Sequence, residues 1–261
     1  SQGRLYVIAN GAGGTVRIDG SLVPNAASAP DGVSLLIEGS GAPTLLNGTI
    51  TAGDDVIINH ALQVDGGSHV IDTSSSNANV TITGGNATSS GGLFATSGQT
   101  NSLTITAGTG AVTLGTFEGF GDNNGTSSLI ENVTITAGST KLGNTASEVG
   151  GTFSVTNGTL SLSNNLTAGE IDISTSGATT LAGDVTLSAA GNVGFAGTVD
   201  GNQGLSVNAG GTTSFGSEIG GAAPLQVLLV ANATDLSANV STVLGQQYGS
   251  TTLSSDVTAT S

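Results

Sequence analysis

Few side chains in this sequence are candidates for catalysis or metal binding. Two histidines, His60 and His69, lie nine residues apart with Asp54, Asp55, Asp65 and Asp72 around them. His69 and Asp72 read as a base and its orienting carboxylate, the pairing that general acid–base catalysis needs. No nucleophile motif accompanies them: there is no Gly-x-Ser-x-Gly and no paired-histidine zinc motif. The plainer expectation is two polar surface histidines. The four aspartates are the one patch that suits a polysaccharide-cleaving enzyme, which works with carboxylate pairs. A second constellation is Phe117 to Thr126, where Glu118, Asp122, Asn123 and Asn124 offer the oxygen ligands that calcium takes six to eight at a time. The same run also suits a solvated tight corner, because Asp and Asn side chains bond their own backbone in turns.

Short strands bounded by turn residues must position these groups. Leu5 to Ile8, Val16 to Ile18, Val33 to Ile37, Val56 to Ile58, Val80 to Ile82, Leu103 to Ile105, Val112 to Leu114 and Val133 to Ile135 are the clearest. Most alternate apolar and polar residues at period two, so one face points inward and the other outward. Beyond residue 150 the pattern returns about every 20 residues: Val185-Thr-Leu187 with Phe195, Leu205-Ser-Val207 with Phe215, Leu225-Gln-Val227 with Leu236. Such a period defines stacking coils, each covering the apolar face of the one before. The expected fold is all-β, a right-handed parallel β-helix (β-solenoid) with coils of about 20 residues, continuous over 1–261. Residues 1–150 form less regular coils with loop insertions, notably at 116–130, and 151–261 form regular repeats. Coil anchors fall at Val80, Leu103, Val133, Phe153, Ile171, Val185, Leu205 and Leu225. The inward set includes Leu103, Ile105, Val133, Ile135, Val185, Leu187, Phe195, Leu205, Val207 and Phe215.

Composition agrees with strands and turns. The chain has 43 Gly, no Trp, no Met and no Cys, with 36% hydrophobic residues. That apolar share is enough to offset ordering entropy, which argues against disorder. Arg4, Arg17 and Lys141 are the only Lys or Arg, and the formal net charge is −15. Binding to nucleic acid is excluded by the lack of cations to displace phosphate counterions, and anionic membranes are disfavoured for the same reason. Membrane insertion is not expected: the longest apolar run, Leu225 to Ala231, is interrupted at Gln226 and falls far short of the roughly 18 residues a span requires. A uronate lyase would need several cations to neutralise its substrate. The expectation is therefore no enzyme and no cofactor, calcium apart.

Two outward patterns bear on partners. Thr81/Thr83, Thr104/Thr106 and Thr134/Thr136 would stack as a flat hydroxyl array, the kind of surface that binds ice. Ser154/Thr156, Asp172/Ser174, Thr186/Ser188, Ser206/Asn208 and Gln226/Leu228 at the following positions break that array, and Thr is in any case a common exposed strand residue. Asn-x-Thr/Ser sequons at Asn79, Asn132, Asn165, Asn239 and elsewhere arise readily in a chain this rich in Asn and Thr.

The segments Gly183 to Gly201, Leu205 to Gly216 and Gln247 to Thr258 resemble repeats of large bacterial surface exoproteins of the filamentous haemagglutinin and giant adhesin type. The likeness is close over 150–261 and weaker before it. It implies a secreted, non-enzymatic protein of the cell surface or exterior, acting in adhesion, aggregation or biofilm as a filament or matrix component. A cell-surface glycan or receptor is the partner such a protein would take. Val23-Pro24-Asn25-Ala26 departs from the family's Asn-Pro-Asn-Gly secretion motif. No signal peptide opens at Ser1 and the strand pattern still runs at Tyr248 to Thr258, which suggests a piece of a longer rod or head-to-tail self-association. At roughly 4.8 Å per coil, about 13 coils would make a rod of about 60 Å.

Overall fold

Alternation at period two becomes three parallel sheets in the computed structural model, which describes residues 5–9, 16–24, 32–39, 42–83, 92–96, 98–115, 120–121, 127–143 and 146–261. The chain is all-β, with no helix among the described residues. One sheet has 9 strands, from Leu5–Ala9 to Val199–Asp200; a second has 13, through Asn101–Thr106 and Asn132–Thr136 to Thr251–Leu253; a third has 7, from Ser147–Glu148 to Ala259–Thr260. From Asn132 to Phe215 the chain visits them in fixed rotation. Asn132–Thr136 lies in the second sheet, Ser139–Leu142 in the first, Ser147–Glu148 in the third, and Thr152–Thr156 returns to the second. The arrangement is compatible with a β-solenoid.

Inside each sheet, like residues stack on like. Ile105, Ile135, Val155, Ile173, Phe195, Phe215 and Leu236 are successive register partners in the second sheet. Leu166, Leu187, Val207 and Val230 follow one another in the third. All of them are buried, as are all ten residues expected to face inward. These rows join one apolar cluster running through the molecule, and the burial of apolar surface is what holds the coils together. Thr140, Thr179 and Thr213 replace Val or Leu in such rows, buried with hydroxyls that have no hydrogen-bond partner. Their β-branched shape fits a strand, and the unpaired hydroxyl is a cost the apolar stack absorbs.

The register corrects the expected anchors. Leu103, Val133, Phe153, Ile171, Val193 and Thr213 are consecutive partners in the second sheet, at separations of 30, 20, 18, 22 and 20 residues. Val80 belongs to the first sheet, and Val185 and Leu205 to the third. The apparent 14-residue step from Ile171 to Val185 crosses from one sheet to another. Leu205 pairs with Leu228, three residues beyond the expected Leu225, which instead faces Thr242. The extra length lies in the segment between Phe215 and Leu225. There Ile219 is buried as an isolated bridge between Val199 and Val240, and the Asp200 carboxylate accepts hydrogen bonds from Ala222 N at 2.9 Å and Ala223 N at 3.2 Å.

Tight corners place successive coils in close contact. Asn157 (φ 66°) and Gly158 (φ 50°) turn the chain between Thr152–Thr156 and Thr159–Leu162. A Cβ on Gly158 would overlap the carbonyl of Gly138 in the preceding coil, so the corner requires glycine for space as well as for its backbone angle.

Candidate functional site

The histidines are buried, contrary to the expected surface pair. His60 is fully enclosed with Nε2 2.6 Å from the Ala42 carbonyl and Nδ1 without a partner. His69 has Nδ1 3.2 Å from Gly48 O and Nε2 2.6 Å from Gly66 O. His69 faces inward on Gly67–Asp72, whereas Asp72, an odd number of residues away, faces outward and accepts Ser74 N at 2.8 Å. The expected base and orienter therefore lie on opposite faces of one strand.

The aspartates are also dispersed and engaged. Asp55 accepts both Asn79 N at 2.7 Å and Asn79 Nδ2 at 3.1 Å. Asp65 lies 2.9 Å from Arg17 Nη1 and accepts Thr96 Oγ1 at 2.7 Å. Arg17 also pairs with Asp19, whose carboxyl titrates below its ordinary range because Asn47 donates to it and Arg17 lies beside it. Asp54 keeps one buried oxygen without a partner. No group of three or more His, Asp or Glu converges in a way that could hold a metal ion among the described residues. Glu118, Asp122, Asn123 and Asn124, the calcium candidates, lie outside the described residues.

The threonine pairs separate as well. Thr104/Thr106 and Thr134/Thr136 share the second sheet with Ser154/Thr156 and Asp172/Ser174, as expected. Thr81 lies in the first sheet, where it faces Thr113. Thr186 and Ser206 face each other in the third sheet, as do Ser188 and Asn208, and Leu228 points inward. The second-sheet row is interrupted by Asp172, Gly194 and Asp235.

A device that the sequence reading passed over connects the coils. An Asn or Asp stands just before the first inward residue of a strand, and its Oδ1 accepts the backbone N–H at the same register position of the next coil. Asn79 takes Ala111 N at 2.8 Å, Asn132 takes Thr152 N at 3.0 Å, and Asn165 takes Thr186 N at 2.8 Å. Asp184 takes Gly204 N at 2.8 Å, Asn192 takes Thr212 N at 2.9 Å, and Asn239 takes Thr258 N at 2.8 Å. The signal was present as Asn/Asp-Val/Leu at strand starts, and four of these asparagines are the sequon asparagines. The oxygen makes each of these joints, and Asn79 and Asn132 also donate through Nδ2, to Asp55 Oδ2 at 3.1 Å and to Ser102 Oγ at 3.3 Å. Among the described residues Asn192 bonds through its side-chain oxygen alone, so Asn192→Asp should leave the melting temperature nearly unchanged, whereas Asn192→Leu should cost about 1 kcal/mol in chemical denaturation.

A groove of about 580 Å³ lies on the outer face of the third sheet. A bulge builds one wall: Leu225 pairs with Thr242 and Val227 with Gly245, so Gln226 faces two residues, Val243 and Leu244. Bulges re-aim side chains, and this one leaves Leu244 75% exposed beside Val227 and Leu229. Gly245, at φ 146°, carries the chain out of the bulge in a conformation open to glycine. Gly204 forms the floor, where a Cβ would press on Val227 Cγ1 at 3.2 Å and Asp184 Oδ1 at 3.3 Å. The facing wall is polar, with Asn165, Asp184, Thr186, Gln203 and Ser206. Past Ser206 and Leu229 the groove continues into a hollow of about 360 Å³ that includes Asn208 and Tyr248. Tyr248 donates to Gln246 Oε1 at 2.7 Å, and burial pushes its phenol up to about 12, so it remains a donor at physiological pH.

Compared with known proteins, the chain matches no family model, no curated protein and no solved structure.

Proposed function

We propose that the chain is a right-handed parallel β-helix with coils of about 20 residues, and that it is a secreted, non-enzymatic structural or adhesive protein. It serves as the subunit of an extracellular filament or matrix, or as a segment of a large surface adhesin. The observation that carries this reading is the fixed rotation of strands among three parallel sheets from Asn132 to Phe215, over one continuous core. Parallel strands joined through neighbouring sheets favour the right-handed crossover almost without exception, and a stack of coils grows in length without needing a larger core. The likeness of 183–201, 205–216 and 247–258 to surface exoprotein repeats supports the same role, as do the acidic charge and the absence of cysteine.

The same geometry supports self-association. The first and last strands of a stacked parallel array extend it in one orientation, so a second copy or a further coil joins in the same way, head to tail, and a contact of that kind continues into a filament unless its rotation closes. Electron microscopy over a concentration series, with and without calcium, tests this. Rods of about 60 Å that join end to end as concentration rises are expected. Particles with no long axis would overturn the rod reading.

A further inference from the structure

We propose that the groove on the third sheet is a binding site for a neutral oligosaccharide. The proposal deepens the adhesive reading and rests on it, and it names the class of ligand from the groove itself.

The polar wall is pre-oriented by the staples that join the coils. Asn165 Oδ1 is committed to Thr186 N, so Asn165 Nδ2 is a fixed donor with no partner among the described residues. Asp184 Oδ1 is committed to Gly204 N, which leaves Oδ2 as a fixed acceptor. Gln226 donates through Nε2 to Asn202 Oδ1, which fixes its Oε1 as a second acceptor. The hydroxyls of Thr186 and Ser206 stand between these groups on neighbouring strands and both donate and accept. Fixed donors and acceptors alternating with adaptable hydroxyls match the hydroxyl groups of a sugar ring. Pre-orientation spares the ordering cost that flexible amides would otherwise incur on binding.

The opposite wall suits the rest of a sugar. Val227, Leu229 and Leu244 give an aliphatic surface for the C–H faces of pyranose rings, and Tyr248 waits in the adjoining hollow for a further unit. Among the described residues, Asp184 is the only charged one lining either compartment. With no cation there and a net charge of −15, an anionic ligand such as a uronate or a phosphate is repelled. A wholly apolar ligand would strand the polar wall without partners. The volume lies within the range of about 300–1,000 Å³ usual for small-ligand sites, and the continuation past Leu229 favours an elongated chain of sugar units.

The test uses the full chain and four neutral probes, maltohexaose, cellohexaose, laminarihexaose and mannohexaose, in calorimetric titration. At least one should bind with a dissociation constant below about 1 mM. Ser206→Tyr, which fills the groove from an outward position, and Leu244→Glu, which makes the aliphatic wall acidic, should each weaken that binding at least about 10-fold. Thr134→Tyr on the outer face of the second sheet should leave it unchanged, and the melting temperatures of all three variants should stay near that of the parent. Binding that survives both groove variants overturns the groove assignment while leaving the surface-protein reading in place. Absence of binding to all four probes overturns the oligosaccharide proposal, and the end-to-end assembly seen by microscopy then judges the structural reading separately.

Discussion

Val207→Asp is expected to abolish cooperative folding of the last coils, seen as loss of strand circular dichroism and of a sharp thermal transition. Val207 is fully buried between Leu187 and Val230 in the third sheet. A carboxylate placed there meets aliphatic side chains on both register neighbours, and no described cation lies in that row to pair with it. An unpaired buried charge costs several kcal/mol even after relaxation, which is a large part of the total stability of an ordinary domain. Because each coil covers its neighbours, the loss should spread along the stack through the interfaces it breaks. Ser206→Asp, one residue away on the outward face, is the control and should melt within a few degrees of the parent. A Val207→Asp chain that melts like the parent would overturn the inward assignment of this strand.

Phe195→Ala should lower stability by about 3–5 kcal/mol in denaturant unfolding, the usual cost of removing a buried aromatic ring and leaving its cavity. Phe195 and Phe215 are register partners with ring centroids 5.2 Å apart and planes 5° from parallel. Both are buried, between Ile173 on one side and Leu236 on the other. A stacked pair adds roughly 0.5–1.5 kcal/mol beyond its burial. The Phe195→Ala/Phe215→Ala double variant should therefore lose less than the sum of the single losses, with a coupling of that size. Strict additivity would mean that the rings contribute only by filling space. Phe195→Leu keeps most of the volume and should recover over half of the loss.

The two expectations rest on features that were legible to different degrees. Inward and outward faces could be read from alternation, because a strand turns each successive side chain over and apolar residues at period two leave no choice of face. That is why Leu103, Ile135, Leu187 and both phenylalanines, Phe195 and Phe215, fell where expected. Sheet membership could not be read in that way. Val80, Ile171 and Val185 have the same local pattern, yet each belongs to a different sheet, since the pattern of one strand carries no record of the direction in which the chain turns next.

The candidate chemistry shows the same division. Residue types alone made His69 and Asp72 look like a pair, and strand parity, which a three-residue spacing already encodes, places them on opposite faces. The groove left no comparable trace. Its Asn165, Asp184, Ser206, Gln226 and Leu244 are scattered over five strands or turns, and ordinary outward residues become a site only where coils stack them side by side. The bulge that exposes Leu244 depends on Gln226 facing two residues across the strand pair, a matter of register between segments far apart in the chain. The strand class, the inward face and the acidic, cation-poor surface could be read from the residues alone, because these follow from local alternation and composition. Which strands share a sheet, which asparagines join coils and where a groove opens emerge only in the folded chain, because those depend on the lengths of the intervening turns and on long-range register.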